Sequence, residues 1–88
     1  MNSGSRNIHK MVENKQYTII GQVYGDIGSA YKSLALGHIN LANNSERQAR
    51  RLFDESSQEA EINLAIREDV EKSLGTLIQH INKVEEAQ

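Results

Sequence analysis

The 88-residue sequence contains no cysteine, no proline and no tryptophan, and its aromatic residues are limited to one Phe and three Tyr. The absence of cysteine excludes disulfides and thiolate metal sites and favours a reducing compartment. The absence of proline favours uninterrupted helices. Because the β-branched residues are scattered rather than alternating, the composition predicts an all-α fold.

The sequence also lacks a strong charge of one sign and a long apolar run. Its formal net charge is −2, so non-specific binding to nucleic acid is not expected, and we expect no DNA partner. No apolar run approaches the roughly 20 residues that a membrane span needs, and the N-terminus has no secretory signal. We therefore expect a cytoplasmic protein without a membrane partner. A chain of this length buries only about 60 % of its unfolded surface, which favours a homo-oligomer.

The stretch YGDIGSAYKSLALGHI, residues 24–39, is the centre of the predicted fold. Ile27, Tyr31, Leu34 and His38 recur at steps of four, three and four, so they share one helix face, and we expect His38 to be half-buried. Glycine costs roughly 1 kcal/mol in a helix interior relative to alanine. Three glycines in this short stretch therefore predict a close approach to the backbone, by another helix or by a ligand.

Turn and cap signals predict where the first helix begins and ends. Residues 1–16 are polar and predict a flexible N-terminal arm, followed by a helical hairpin domain over residues 17–88. The short β-branched run at 16–20 predicts an extended lead-in. The first helix is then expected from about Gln22 to Ala42, and the Asn pair at 43 and 44 is expected to end it.

Two capping boxes predict the remaining helix starts: Ser45 with Gln48, and Ser56 with Glu59. The first opens a short helix, SERQARRLFDE, which presents three arginines on a common face. The last helix carries an apolar seam over six turns, formed by Ile62, Ile66, Val70, Leu74, Leu77, Ile81 and Val84. We expect this helix to pair antiparallel with the first, giving a helical hairpin with a short helical insertion, residues 43–56, at its tip.

The sequence does not support catalysis. It has no cysteine nucleophile and no serine in a strand–turn–helix elbow, and its three histidines lack metal-ligand spacing, so we expect neither enzyme activity nor a cofactor. The carboxylates alternate with the apolar seam and predict a solvated face. Two groups of side chains, two tyrosines and three arginines, each allow a structural and a ligand-binding interpretation. Tyr24 and Tyr31 are core aromatics or platforms for bases, and the trio Arg47, Arg50 and Arg51 is an ion-paired surface or a phosphate clamp.

One helical pattern resembles a known family. Tyr24, Ile27, Lys32, Leu34, Ala35 and Ile39, at their spacing and followed by a capped second helix, resemble the phage anti-CBASS cyclic-nucleotide sponges and one class of anti-Thoeris sponges. The second block of the resemblance is Arg67, Val70, Glu71, Leu74, Leu77 and Ile81, and Tyr17 matches the family's lead-in tyrosine. The chain departs from the family in lacking a proline-rich lead-in and a tryptophan near Thr76, and in the insertion over residues 43–56.

The resemblance implies a non-enzymatic homo-oligomer, a hexamer in the family, that sequesters cyclic di- and trinucleotide second messengers in the infected host cell. The ligand-binding residues would be Tyr17, Tyr24, Gly25, Gly28, Ser29, Lys32 and Arg67. Lysine would neutralise a phosphate, tyrosine would stack on a base, and glycine and serine would let the ligand approach the backbone. The alternative is a small helical protein–protein interaction module, or an adaptor of a host protein, that binds its partner through its helices.

Overall fold

The computed structural model describes the backbone of residues 3–59 and 63–88, and the side chains of residues 17–57 and 63–88. The chain forms three helices: α1 (Ser3–Ala35), α2 (Ile39–Glu59) and α3 (Leu64–Ala87). The described residues contain no strand. The predicted all-α class is therefore confirmed.

A Schellman motif ends α1 and turns the chain back into α2. The amide of Gly37 donates to the carbonyl of Leu34 at 3.0 Å, and the amide of His38 donates to that of Ser33 at 2.8 Å. Gly37 has a φ of +81°, a left-handed conformation that glycine adopts without steric cost. The carbonyl of His38 then accepts the first hydrogen bond of α2, from Ala42 at 3.0 Å. Three residues thus suffice to form a tight helical hairpin.

Each helix buries a stripe of residues at alternating steps of three and four. In α1 and α2, alanines permit close approach of the backbones, since Ala30, Ala42 and Ala49 have no exposed surface. Helix α3 packs across this pair through the seam predicted from the sequence. The largest fully buried side chains are Leu77, Ile81, Val23 and Val70. The core is therefore made by side chains of α1 and α3 and by Phe53 of α2, beside an alanine-lined α1–α2 contact.

Helix α3 runs parallel to α1 and antiparallel to α2. Tyr24 of α1 contacts Asp69 of α3, and Tyr31, one heptad later, contacts His80. Near the start of α2, Asn43 donates to Glu85 at 2.8 Å, whereas residues 50–54 further along α2 line a groove with residues 71–75 of α3. The hairpin arms are therefore α1 and α2, and the predicted antiparallel pairing of the first and last helices is wrong. The turn at Gly37, not the Asn pair, reverses the chain.

Several predicted boundaries are corrected by these helices. Residues 17–20, expected to be extended, are helical, because Ile20 begins the buried stripe of α1. Residues 43–56, expected as an insertion at the tip, all lie within α2, so neither Ser45 nor Ser56 caps a helix. Instead the buried Ser56 donates to the carbonyl of Phe53 at 2.9 Å. His38, expected on the apolar face, is exposed in the turn.

Helix α3 begins where an asparagine caps it. The side chain of Asn63 accepts a hydrogen bond from the amide of Ala65 at 2.9 Å, which satisfies a donor at the start of the helix. The seam residues from 66 to 84 are buried or half-buried as predicted, whereas Ile62 lies outside the described residues. At the N-terminus the backbone of residues 3–16 continues α1, and the predicted division at residue 16 into arm and domain stays a prediction.

Candidate ligand-binding face of α1

An exposed row of aromatic and small residues runs along α1 beside its buried stripe. Steps of four and three connect the six members, so they share one side of the helix. We call this row the tyrosine–glycine face; its members are Tyr17, Gly21, Tyr24, Gly28, Tyr31 and Ala35. All six are exposed. Gly25 and Lys32, also exposed, follow the edge of the row that is turned away from α3.

The tyrosine rings at 24 and 31 are held against α3. The hydroxyl of Tyr24 donates to Asp69 Oδ2. This hydrogen bond, together with burial and the negative charge of Asp69, raises the pKa of Tyr24 to about 12. Tyr31 meets the His80 ring edge to face at a centroid distance of 5.8 Å. By contrast Tyr17 is 60 % exposed, so its ring is the one most open to a stacking partner.

The glycines of α1 leave the backbone open. A Cβ at Gly21, Gly25 or Gly28 would meet no atom within 4 Å in the described part of the chain. The close approach that these glycines predicted is therefore not made by α2 or α3. A flat ligand or another helix could reach the backbone here. Gly37, included in the same prediction, instead serves the turn.

The structure brings six of the seven predicted site residues onto α1. Ser29 lies further round the helix from the tyrosines than Gly25 and Lys32 do. Arg67 is separate, because helical spacing puts it on the side of α3 that carries Glu71 and Glu85, and these two residues face α2. Its Nε is buried and has no hydrogen-bond partner among the described residues. In a single copy of the chain, Arg67 therefore lies away from Tyr24 and Lys32.

Sequence reasoning missed three residues of this surface: Gly21, Asp69 and His80. Gly21 completes the steps from Tyr17 to Tyr24, but the preceding run was interpreted as an extended lead-in. Asp69 was counted among the carboxylates of the solvated face, because they alternate with the apolar seam, and His80 was considered only as a metal ligand. The spacing of the tyrosines was the available signal, since three rings seven residues apart must share one side of a long helix.

The arginine trio of α2 forms local pairs. Arg50 binds Glu46 through Nη2 at 2.7 Å and Nε at 2.8 Å, and Glu46 is only 3 % exposed. Arg51 donates to Gln48. Arg50 therefore neutralises a buried carboxylate, which agrees with the ion-paired interpretation for this member of the trio. Arg47 is exposed.

Two open grooves lie elsewhere on the surface. One, of about 600 Å³, is lined by residues 37–41 of the turn together with Glu85 and Gln88. The other, of about 240 Å³, separates α2 from α3 and contains Asp54 and Glu71 as well as Arg50. Both grooves carry carboxylates, which makes them poor sites for a phosphate.

Among the side chains described, no group of three His, Asp or Glu residues could hold a metal ion. No helix within the described ranges is both long and apolar enough to cross a membrane. The chain matches no family model, no curated protein and no solved structure.

Proposed function

We propose that the chain is a non-enzymatic protein that binds cyclic di- or trinucleotide second messengers, cyclic GMP-AMP among them, and sequesters them intact. In an infected cell this would block antiphage CBASS signalling. The observation that carries the proposal is the combination of exposed tyrosine rings, open glycine backbone and an exposed lysine along one surface of α1.

The chemistry of this surface suits a cyclic nucleotide. Each base has two π faces, and stacking on an aromatic ring contributes roughly 1–3 kcal/mol per base. Lys32 supplies the positive charge that a phosphate needs. The open backbone at Gly25, at the edge of the tyrosine–glycine face, admits a planar group without a steric clash. Tyr17, being the most exposed ring, is the best stacking platform.

With Tyr17 as the stacking ring, the site requires more than one copy of the chain. Tyr17 and Lys32 are 15 residues apart, which corresponds to about 22 Å along a helix. This separation is too long for one compact cyclic dinucleotide to bridge, so ring and lysine would come from different copies. A homo-oligomer, a hexamer by resemblance, therefore belongs to the proposal. Arg67, which lies on the other side of α3, would likewise have to serve a neighbouring copy.

The second candidate is a protein–protein interaction module. It is favoured by exposed apolar side chains at the hairpin turn, where Leu36 is 62 % and Leu41 is 54 % exposed. A partner helix could cover them together with the tyrosine–glycine face. This reading does not require Lys32 to contact an anion. The charge at residue 32 therefore distinguishes the two candidates.

The decisive measurement is isothermal titration calorimetry against a panel of cyclic di- and trinucleotides, with linear dinucleotides for comparison. Lys32→Ala should weaken binding by roughly 1.5–3 kcal/mol, the contribution of a charge-assisted hydrogen bond. The thermal midpoint should stay almost unchanged, because an exposed lysine contributes little to folding. Tyr24→Ala should lose binding and also some stability, since its ring is tied to Asp69.

The matched control is Lys72→Ala, which removes an exposed lysine from α3 and should leave binding unaltered. Arg50→Ala is unsuitable as a control, because it would leave the buried Glu46 carboxylate without its ion-pair partner. Chromatography of the ligand after denaturing the complex should recover it uncleaved. Linear product would identify a phosphodiesterase instead. If Lys32→Ala binds as tightly as the wild type, the site does not include Lys32. If no cyclic nucleotide binds, the protein–protein interaction module is the remaining candidate.

A further inference from the structure

We propose that α1 pairs antiparallel with α1 of a second copy of this chain, through the tyrosine–glycine face. The two-fold axis crosses α1 at the level of Asp26. Two residues from different copies therefore lie opposite each other when their numbers add up to 52. Because each copy presents the same surface, this is a two-fold, self-complementary interface. It forms without a nucleotide and therefore does not depend on the proposed function.

The alternation of large and small residues carries the inference. With the axis at residue 26, Tyr17 lies opposite Ala35 of the second copy, Gly21 opposite Tyr31, and Tyr24 opposite Gly28. Every ring thus meets a residue with little or no side chain. A parallel, in-register pair would instead oppose tyrosine with tyrosine and leave voids between glycines. Packing without voids therefore selects the antiparallel arrangement.

The structure of the single copy supplies both the rings and the spaces for them. Tyr24 is fixed by Asp69 and Tyr31 by His80, so two of the three rings are already held in place. The opposing positions are open, because a Cβ at Gly21 or Gly28 would meet no atom within 4 Å among the described residues. The surface is thus preorganised for a partner helix rather than filled from within the chain.

Charge is compatible with this pairing. The six members of the tyrosine–glycine face are uncharged, whereas the exposed sides of α2 and α3 carry many ionised residues. Lys32, at the edge of the face, lies about 18 Å along the axes from the Lys32 of the second copy. This exceeds the Debye length of about 8 Å at physiological ionic strength, so the two lysines do not oppose assembly.

The area available meets the lower limit for a specific dimer. The face extends over about 27 Å of helix. Its rings are 60 %, 39 % and 38 % exposed at Tyr17, Tyr24 and Tyr31. Two copies, with the glycine backbone and the edge residues, would bury on the order of 1,000 Å², the minimum for a specific interface. We therefore expect reversible assembly at micromolar concentration.

Light scattering and sedimentation without nucleotide test the interface. The wild-type mass should be an even multiple of the 9.9 kDa chain. Gly28→Leu fits a single copy but collides with Tyr24 of the second, so assembly should weaken about tenfold or more. Its mass should fall to half or less while its helical circular dichroism is retained. Gly75→Leu, on the α3 side of the groove beside α2, is the matched control and should assemble normally.

Single cysteines test the direction, since the natural chain has none. Gly25→Cys lies one residue from the axis and should form a disulfide-linked dimer on mild oxidation. Lys32→Cys, one heptad along the same edge, should not cross-link, because the two sulfurs would be about 18 Å apart along the axes. Equal cross-linking at both positions would overturn the antiparallel arrangement. A monomeric wild-type chain, or an unchanged mass for Gly28→Leu, would overturn the interface.

Discussion

At the scale of single residues, Tyr24 connects the proposed surface to the bundle. Its hydroxyl donates to Asp69, and the pKa of Tyr24 is raised to about 12 by that bond first, then by burial and by the charge of Asp69. The folded state therefore retains the phenolic proton more strongly than the unfolded chain, whose tyrosines have a pKa of about 10. This contribution to stability is fully present below pH 10 and is lost as the pH rises toward 12.

Tyr24→Phe tests this linkage. Removing the hydroxyl should lower the free energy of unfolding at pH 8 by about 1 kcal/mol, at the scale of one partly solvated hydrogen bond. It should also flatten the fall in stability between pH 10 and 12, measured by urea unfolding at each pH. Tyr17→Phe removes the hydroxyl of the most exposed ring and is the control. An identical alkaline fall in Tyr24→Phe would show that another group is responsible.

The burial of Glu46 could not be predicted from the sequence pattern. It occupies a buried position between Ala42 and Ala49 in the stripe of α2, where an apolar side chain is expected. Its carboxylate is tolerated because Arg50, one turn later and itself half exposed, binds it from the solvent side. The sequence could predict this ion pair from its spacing, but not that one partner would be buried.

At the scale of elements, the turn between α1 and α2 depends on one glycine. An alanine at residue 37 would have to adopt the left-handed conformation, which costs roughly 1–2 kcal/mol. Gly37→Ala should therefore lower the urea midpoint without changing the slope of the transition. Gly75→Ala is the matched control, because this helical glycine has open space at Cβ and should gain up to about 1 kcal/mol. Equal effects at both positions would contradict the role of the turn.

The helices show which elements a sequence can predict. The α3 seam was predicted well, because an apolar repeat over six turns has no competing interpretation. The boundary between α1 and α2 was misplaced. Gly37 was grouped with the other glycines of the stretch, and Asn43 with Asn44 was interpreted as a stop. Packing of Ala42 and Ala49 against α1 overrides the weak helix propensity of the asparagines, a tertiary effect invisible in local sequence.

The candidate site was predictable to a similar extent. Helical spacing predicted which residues share the apolar side of α1, whereas Tyr24, Gly28 and Lys32 were grouped as a binding site through the family resemblance. Helix direction is not contained in that spacing. The contacts of Asp69 and His80 with the tyrosines were therefore missed. Arg67 was included through the resemblance, although it lies on another side of α3.

At the scale of the whole molecule, the bundle is long and thin, with extents of 62 × 20 × 16 Å. Helix α1 has 33 residues and α2 has 21, so the first turns of α1 extend past the end of α2. Such a shape has little interior, and the largest fully buried side chains in the described part of the chain are leucine, isoleucine and valine rather than aromatic residues. Antiparallel pairing would thicken the bundle and would also bring Tyr17 of one copy within a turn, along the axes, of Lys32 of the other.

Assembly of this kind makes stability depend on concentration, because only the folded chain can pair. Each tenfold increase in protein concentration favours a folded dimer by about 1.4 kcal/mol, which should raise the thermal midpoint by roughly 3–5 °C for two chains of this length. Gly28→Leu, which weakens pairing through the tyrosine–glycine face about tenfold, should unfold roughly 3–5 °C below the wild type at the same concentration. Scanning calorimetry from 10 to 1,000 µM, about a hundredfold range, measures both. A wild-type midpoint that stays constant over this range would mean that folding and pairing are not coupled.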